Sequence, residues 1–152
     1  MRFESVVLPA PEAPLVDVDQ DYLAVVRAGM NAVTNEYGTA ARSRIDDPDW
    51  QLAGKTGTSQ VYAITAEDRA RGLAEPEDLP WARRDHALFV CYMPYENPRY
   101  ACSVVVEHGI GGSRAAGPKA RDIMKAVAEK DPASRAPLDP RTLARAAGVR
   151  ES

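Results

Sequence analysis

The chain has 152 residues, and its 19 Lys and Arg against 22 Asp and Glu leave a formal net charge of −3. That length is one domain's worth, enough for a real core. The charge balance argues against a nucleic-acid partner, no apolar run is long enough to span a bilayer, and Met1-Arg2-Phe3-Glu4-Ser5 lacks the apolar centre of a secretory signal, so no targeting is expected from this stretch.

Val6-Val7-Leu8 followed by Pro9, Pro11 and Pro14 reads as a short extended piece and a proline-stiffened linker. A helix follows, with Asp17 or Asp19 able to accept hydrogen bonds from its first turn. Leu23, Val26, Met30 and Val33 form one apolar stripe, which predicts plain core packing. Tyr37-Gly38 ends it, with the glycine free to turn left-handed. Residues 38–42 restart a short helix, and Asp46-Asp47-Pro48-Asp49 is a turn.

The turn delivers the chain to Trp50-Gln51-Leu52-Ala53-Gly54-Lys55-Thr56-Gly57-Thr58-Ser59-Gln60-Val61-Tyr62, of which 51–62 is read as a strand with an edge on a cleft. At its centre Lys55 brings a cation. Thr56 and Thr58, two apart, leave a strand on the same face. Gly57 lets a ligand or another backbone come close. Such a tetrad suits the holding of a small carboxylate. Gly54-Lys55-Thr56 also ends a phosphate-binding loop pattern, but the pattern's first glycine falls on Asp49, and Gly57-Thr58-Ser59 is poor material for the helix that should follow. The plain alternative is a solvated strand end with a stray lysine.

Residues 63–84 are charged, with a polar helix expected between Thr65 and Leu73 and loop around Pro76 and Pro80. His86–Met93 and Tyr100–Glu107 read as an antiparallel hairpin around Pro94-Tyr95-Glu96-Asn97-Pro98. Both runs are almost continuously apolar, which predicts cover on both faces. Cys91 and Cys102 should then face one another, as two small thiols or as a bonded pair in an oxidising compartment. Gly109-Ile110-Gly111-Gly112 reads as a flexible joint. Ser113 caps a helix through about Lys130, with Ala116, Ala120, Ile123, Met124 and Val127 toward the sheet and Pro118 in the first turns. Residues 1–130 thus form an α+β unit, an antiparallel sheet of about three strands covered by helices, and 131–152 an Ala/Arg/Pro-rich tail with at most one short helix. His86 and His108 have no serine placed beside them for a triad, and with Cys91 and Cys102 they lack chelating spacing, so structural roles, no metal and no cofactor are expected.

Lys55-Thr56-Gly57-Thr58 on a strand, then a hairpin and a final helix, resembles the end of a penicillin-binding transpeptidase domain, a superfamily with a Lys-Thr-Gly box. Ala53–Val61, Arg84-Asp85-His86, Pro94–Pro98 and Val104–Gly109 narrow the resemblance to the penicillin-binding protein 2 family, class B transpeptidases of cell elongation, over roughly residues 6–130. The resemblance implies a penicillin-binding/β-lactamase-like fold and a serine that attacks the terminal D-Ala-D-Ala of a peptidoglycan stem peptide, or a β-lactam. Lys55 would bond into a Ser-x-Asn motif and add positive potential. Thr56 and Thr58, with Gly57 between them, would hold the substrate carboxylate, and the Thr58 N–H would be one oxyanion donor.

The family's Ser-x-x-Lys and Ser-x-Asn are missing. Three places after Ser5, Ser43, Ser59, Ser103, Ser113 and Ser134 stand Leu8, Asp46, Tyr62, Val106, Ala116 and Pro137. The chain therefore reads as the C-terminal part of a longer protein at the periplasmic face of the bacterial inner membrane. It is expected to be inactive alone, to need the missing N-terminal part of its domain, and to self-associate through an exposed sheet face. Two other readings stand beside it: a free-standing module that grips a peptide carboxylate by strand addition, and an inactive truncated product.

Overall fold

A computed structural model describes residues 17–72 and 74–134. The extended piece and linker expected before Val16, Leu73, and residues 135–152 of the expected tail lie outside the described residues.

Helix α1 spans Gln20–Asn35, and Asp19 is its cap, its carboxylate accepting from the Asp21 N–H at 2.8 Å. The expected stripe is only half used. Met30 and Val33 are partly covered, but Leu23 and Val26 stay exposed, with Val18, Tyr22 and Val25 beside them. What α1 does bury is its polar end. The Thr34 hydroxyl and the Asn35 amide both donate to the carbonyl of Leu52. Gly38 is not left-handed. Its missing side chain instead lets the turn fold back on Val33, whose carbonyl accepts from Ala40 N–H at 3.0 Å. Three-residue 3-10 turns at Ala41–Ser43 and Pro48–Trp50 then lead into the sheet.

Strand β1 covers Ala53–Ser59, shorter at both ends than its sequence suggests. The cause is local. Leu52 has given its carbonyl to α1, and Val61 gives its N–H to the Asp85 carboxylate at 3.0 Å. Helix α2, Ala66–Arg71, starts on a reciprocal cap between Thr65 and Asp68. The hydrogen bonds from Thr65 hold the Asp68 carboxyl below its ordinary range.

Strands β2, His86–Met93, and β3, Tyr100–Val106, form the expected hairpin, with a cis Met93–Pro94 bond at the loop's entry. The sheet is antiparallel in the order β1-β2-β3, and the register pairs Cys91 with Cys102. Ala87, Phe89, Cys91 and Met93 point to one face and are buried, with Leu52, Ala116, Ala120 and Met124 completing the core. The other face departs from the expectation of cover on both sides: Val90 is 46% and Val105 57% exposed. An apolar strand records how it wants to be packed. Here no described helix packs over those two valines.

Two further expectations are corrected. Ser113 does not cap the last helix. A π turn over Gly112–Ala116 runs without a side-chain cap into α3, Gly117–Lys130, with Pro118 in its first turn. Ala116, Ala120 and Met124 meet the sheet as expected, but Ile123 is 48% exposed. Past α3, Asp131 turns left-handed and docks on the hairpin. It accepts from the Tyr100 hydroxyl at 2.6 Å and from Arg99 at 3.0 Å, and Ala133 N–H donates to the same hydroxyl. The opening residues of the expected tail are therefore tied down.

Candidate functional site

The tetrad falls on β1, which is bonded to β2 on one side and to no strand on the other among the described residues. The register sorts its side chains. Thr56 and Thr58 stand opposite Phe89 and Ala87, and so share the face of the buried core; Lys55 and Gly57 stand opposite Val90 and Leu88 on the other face. The two hydroxyls are together, as their spacing predicts. The ammonium leaves from the opposite face, and Lys55 Nζ curls back to donate to the carbonyl of Thr56 at 3.0 Å. Lys55 and Thr58 are exposed and Thr56 half-buried.

Three supports of this strand were not legible as such. Thr39, from the turn after α1, places its hydroxyl 3.1 Å from that of Thr56. No local pattern marks it, because the partners are 17 residues apart. Gly112 lies on the backbone of Gly57 and Leu88, where an added Cβ would come within 3.0 Å of both carbonyl oxygens. The close approach expected at Gly57 is thus made by the chain's own backbone. The 109–112 segment is no loose joint: Gly112 is buried, and Ile110 N–H donates to the Asp85 carbonyl at 2.9 Å. Gly54, read in the sequence only as part of a phosphate-loop pattern, is the glycine that β1 most needs, since a Cβ there would strike the Phe89 ring and the Val90 carbonyl.

The histidines gather at the far end of the strand. His86 is the register partner of Ser59. Its Nδ1 accepts from the backbone N–H of His108 at 2.9 Å, and the two rings meet edge to face at 4.7 Å. His108 Nδ1 lies 2.8 Å from the carbonyl of Arg84, and Trp81 packs on the ring at 4.1 Å. Both imidazoles are thus engaged in holding the hairpin's end. Among the described residues no group of three His, Cys, Asp or Glu side chains is placed to hold a metal.

Two open cavities flank the strand without containing the tetrad. One, of about 370 Å³, lies between Pro48, Gln51, Tyr95 and Arg99. The other, of about 310 Å³, lies beyond the end of β1 between Gln60, Tyr62, Leu79 and Asp85. The cleft expected beside Lys55 is not closed by the described residues. No described helix is long and apolar enough to cross a membrane.

A three-stranded sheet with one apolar face under α3 and a Lys-Thr-Gly-Thr edge strand defines the class. Residues 9–125 match the penicillin binding protein transpeptidase domain, and the chain belongs to that family. Within it, the similar proteins are of the penicillin-binding protein 2 kind. The peptidoglycan D,D-transpeptidase MrdA of Haemophilus influenzae is 33% identical over 126 residues, which are 80% of this chain and 19% of that protein. The complex of penicillin-binding protein 2 with MreC from Helicobacter pylori superposes at a TM-score of 0.59 with 33% identity, over 76% of this chain and 19% of the other. Penicillin-binding protein 2 of Pseudomonas aeruginosa in complex with WCK 5153 gives 0.54 and 33%, over 78% and 21%. The chain spans about a fifth of the length of these relatives. The fold is the α+β one expected, present as part of such a domain.

Proposed function

We propose that this chain is the carboxylate-holding part of a peptidoglycan D,D-transpeptidase, and that the attacking serine lies on polypeptide outside it. The supporting observation is the Lys55-Thr56-Gly57-Thr58 strand, bonded on one side only, inside a stretch that matches the transpeptidase family. In this reading the Thr56 and Thr58 hydroxyls, on one face, hold the terminal carboxylate of a D-Ala-D-Ala stem peptide or of a β-lactam. The Thr58 N–H is an oxyanion donor for the acyl-transfer step. Loss of one such donor typically costs about 10²–10³ in rate. Lys55 contributes potential from the other face and orients the groups of the missing Ser-x-Asn. Gly57, between the two threonines, has no Cβ, and Gly112 packs on its backbone.

The exposed Leu23, Val25 and Val26 of α1 and Val90 and Val105 of the sheet are then the surfaces that the rest of the domain covers, at the periplasmic face of the inner membrane. The chain alone is inactive and self-associates through them. Incubation with a fluorescent penicillin tests the assignment. The complete protein should be labelled covalently, and Thr56→Val with Thr58→Val should slow that labelling by at least about 10–100-fold, the worth of a single hydrogen bond to a charged group. The chain alone should take no label. A covalent label on it would show that the nucleophile is here. Unchanged labelling of the double variant would remove the threonines from the site.

A further inference from the structure

Cys91 and Cys102 are direct partners across β2 and β3, and both are free thiols. Antiparallel partners hold their Cα atoms about 4.5–5.5 Å apart, inside the roughly 4.4–6.8 Å that a disulfide spans. The two side chains share the core face of the sheet. Their surroundings differ. Cys91 is 4% exposed within the core, and its burial, then the neighbouring thiol, push it up to about 12. Cys102 is half-buried on β3, the outer strand of the described sheet.

We propose that Cys91 and Cys102 are a built-in redox pair that closes to a cross-strand disulfide by exchange with an external disulfide. The asymmetry sets the order of events. Cys102, the accessible thiol, loses its proton and attacks one sulfur of the external disulfide R–S–S–R. A mixed disulfide Cys102–S–S–R forms and one R–S⁻ leaves, taking up a proton. Cys91 then gives up its proton and attacks Cys102 Sγ, the bond between Cys102 Sγ and the external sulfur breaks, and the second R–S⁻ leaves and takes up a proton to depart as R–SH. The protein is oxidised by two electrons and the external disulfide is reduced to two thiols. The closed bond would staple β2 to β3 beside β1, level with Gly54. Cys91 is closed off in the core while Cys102 is reachable from solvent, so Cys102 is the first attacker and Cys91 the resolving thiol.

The test uses the whole chain, folded, with oxidised glutathione at mildly alkaline pH. Intact mass should fall by two hydrogens, and tryptic digestion should give residues 85–99 joined to residues 100–114. Cys91→Ser should stop the reaction at a glutathione adduct on Cys102, and Cys102→Ser should slow adduct formation by at least tenfold. Closure should also raise the melting temperature, and a thiol reductant should reverse it. A wild-type adduct that persists with Cys91 still free, a disulfide between two chains, or no mass change would each overturn the proposal. So would an adduct that forms first on Cys91.

Discussion

Gly112→Ala is a one-methyl test of how the site strand is held. The built methyl would come within 3.0 Å of the Leu88 carbonyl, the Gly57 carbonyl and the Gly57 nitrogen, closer than Cβ atoms approach. All three atoms are backbone of paired strands, so none can swing away as a side-chain end would. The 109–112 segment must lift instead, and with it the Ile110 N–H bond to Asp85. Overpacking of this kind costs typically 1–3 kcal/mol, and about 2 kcal/mol should lower the melting temperature of a unit this size by roughly 8 °C. The adjoining Gly111→Ala is the control. Its backbone is extended and nothing lies within 4 Å of the added methyl, so it should melt with the wild type. Differential scanning calorimetry on the two variants decides the matter. If Gly112→Ala melts within a degree of Gly111→Ala, the backbone contact on Gly57 is not a support of the strand.

Gly29→Ala should act in the opposite sense, because Gly29 is inside α1 with open space at its Cβ; urea unfolding should show a gain of about 0.5–1 kcal/mol. The Tyr100 hydroxyl first and then Arg99 hold the Asp131 carboxyl below its ordinary 3.8. A depressed carboxyl contributes stability above its unfolded value and loses it as pH falls, so stability should drop below about pH 4. Asp131→Asn should flatten that acid limb; an unchanged limb would show that the clamp is not what titrates. At the other extreme, the Cys91 thiol ionises near 9.0 unfolded and at about 12 folded. Its stabilisation is intact below pH 9 and lost toward pH 12, by up to about 1.4 kcal/mol per pH unit, a loss that Cys91→Ala should abolish in reduced protein.

The parts of the molecule that were legible in the sequence are those whose causes are local. The hairpin announced itself through two β-rich runs fenced by Pro94 and Pro98, and that alone sufficed to pair Cys91 with Cys102. An aspartate cap on α1, left open between Asp17 and Asp19 and made by Asp19, and the shared face of Thr56 and Thr58 follow from local spacing. What could not be read depended on distant partners. Whether Leu23, Val26, Val90 and Val105 are covered is decided by what packs on them, which their own pattern does not specify. Ser113 has the chemistry of a cap, but the buried Gly112 against Gly57 dictates the entry into α3, and the chain makes a π turn there. Spacing separates Lys55 from the two hydroxyls but does not say where its ammonium goes, which here is back to the Thr56 carbonyl. The ties of Thr39 and Gly112 to the tetrad join positions that no short pattern connects.

The two donors that α1 lends to the Leu52 carbonyl have a meaning beyond anchoring. In a ribbon that alternates up and down, the place where pairing begins decides which residues look which way. A shift by a single position would turn the threonines to the valine side and bring the lysine into the oily interior. The helix fixes that parity from outside, just upstream of the first paired residue. Thr34 and Asn35, which touch none of the chemistry, are in this sense the residues that tell Thr56 and Thr58 where to point.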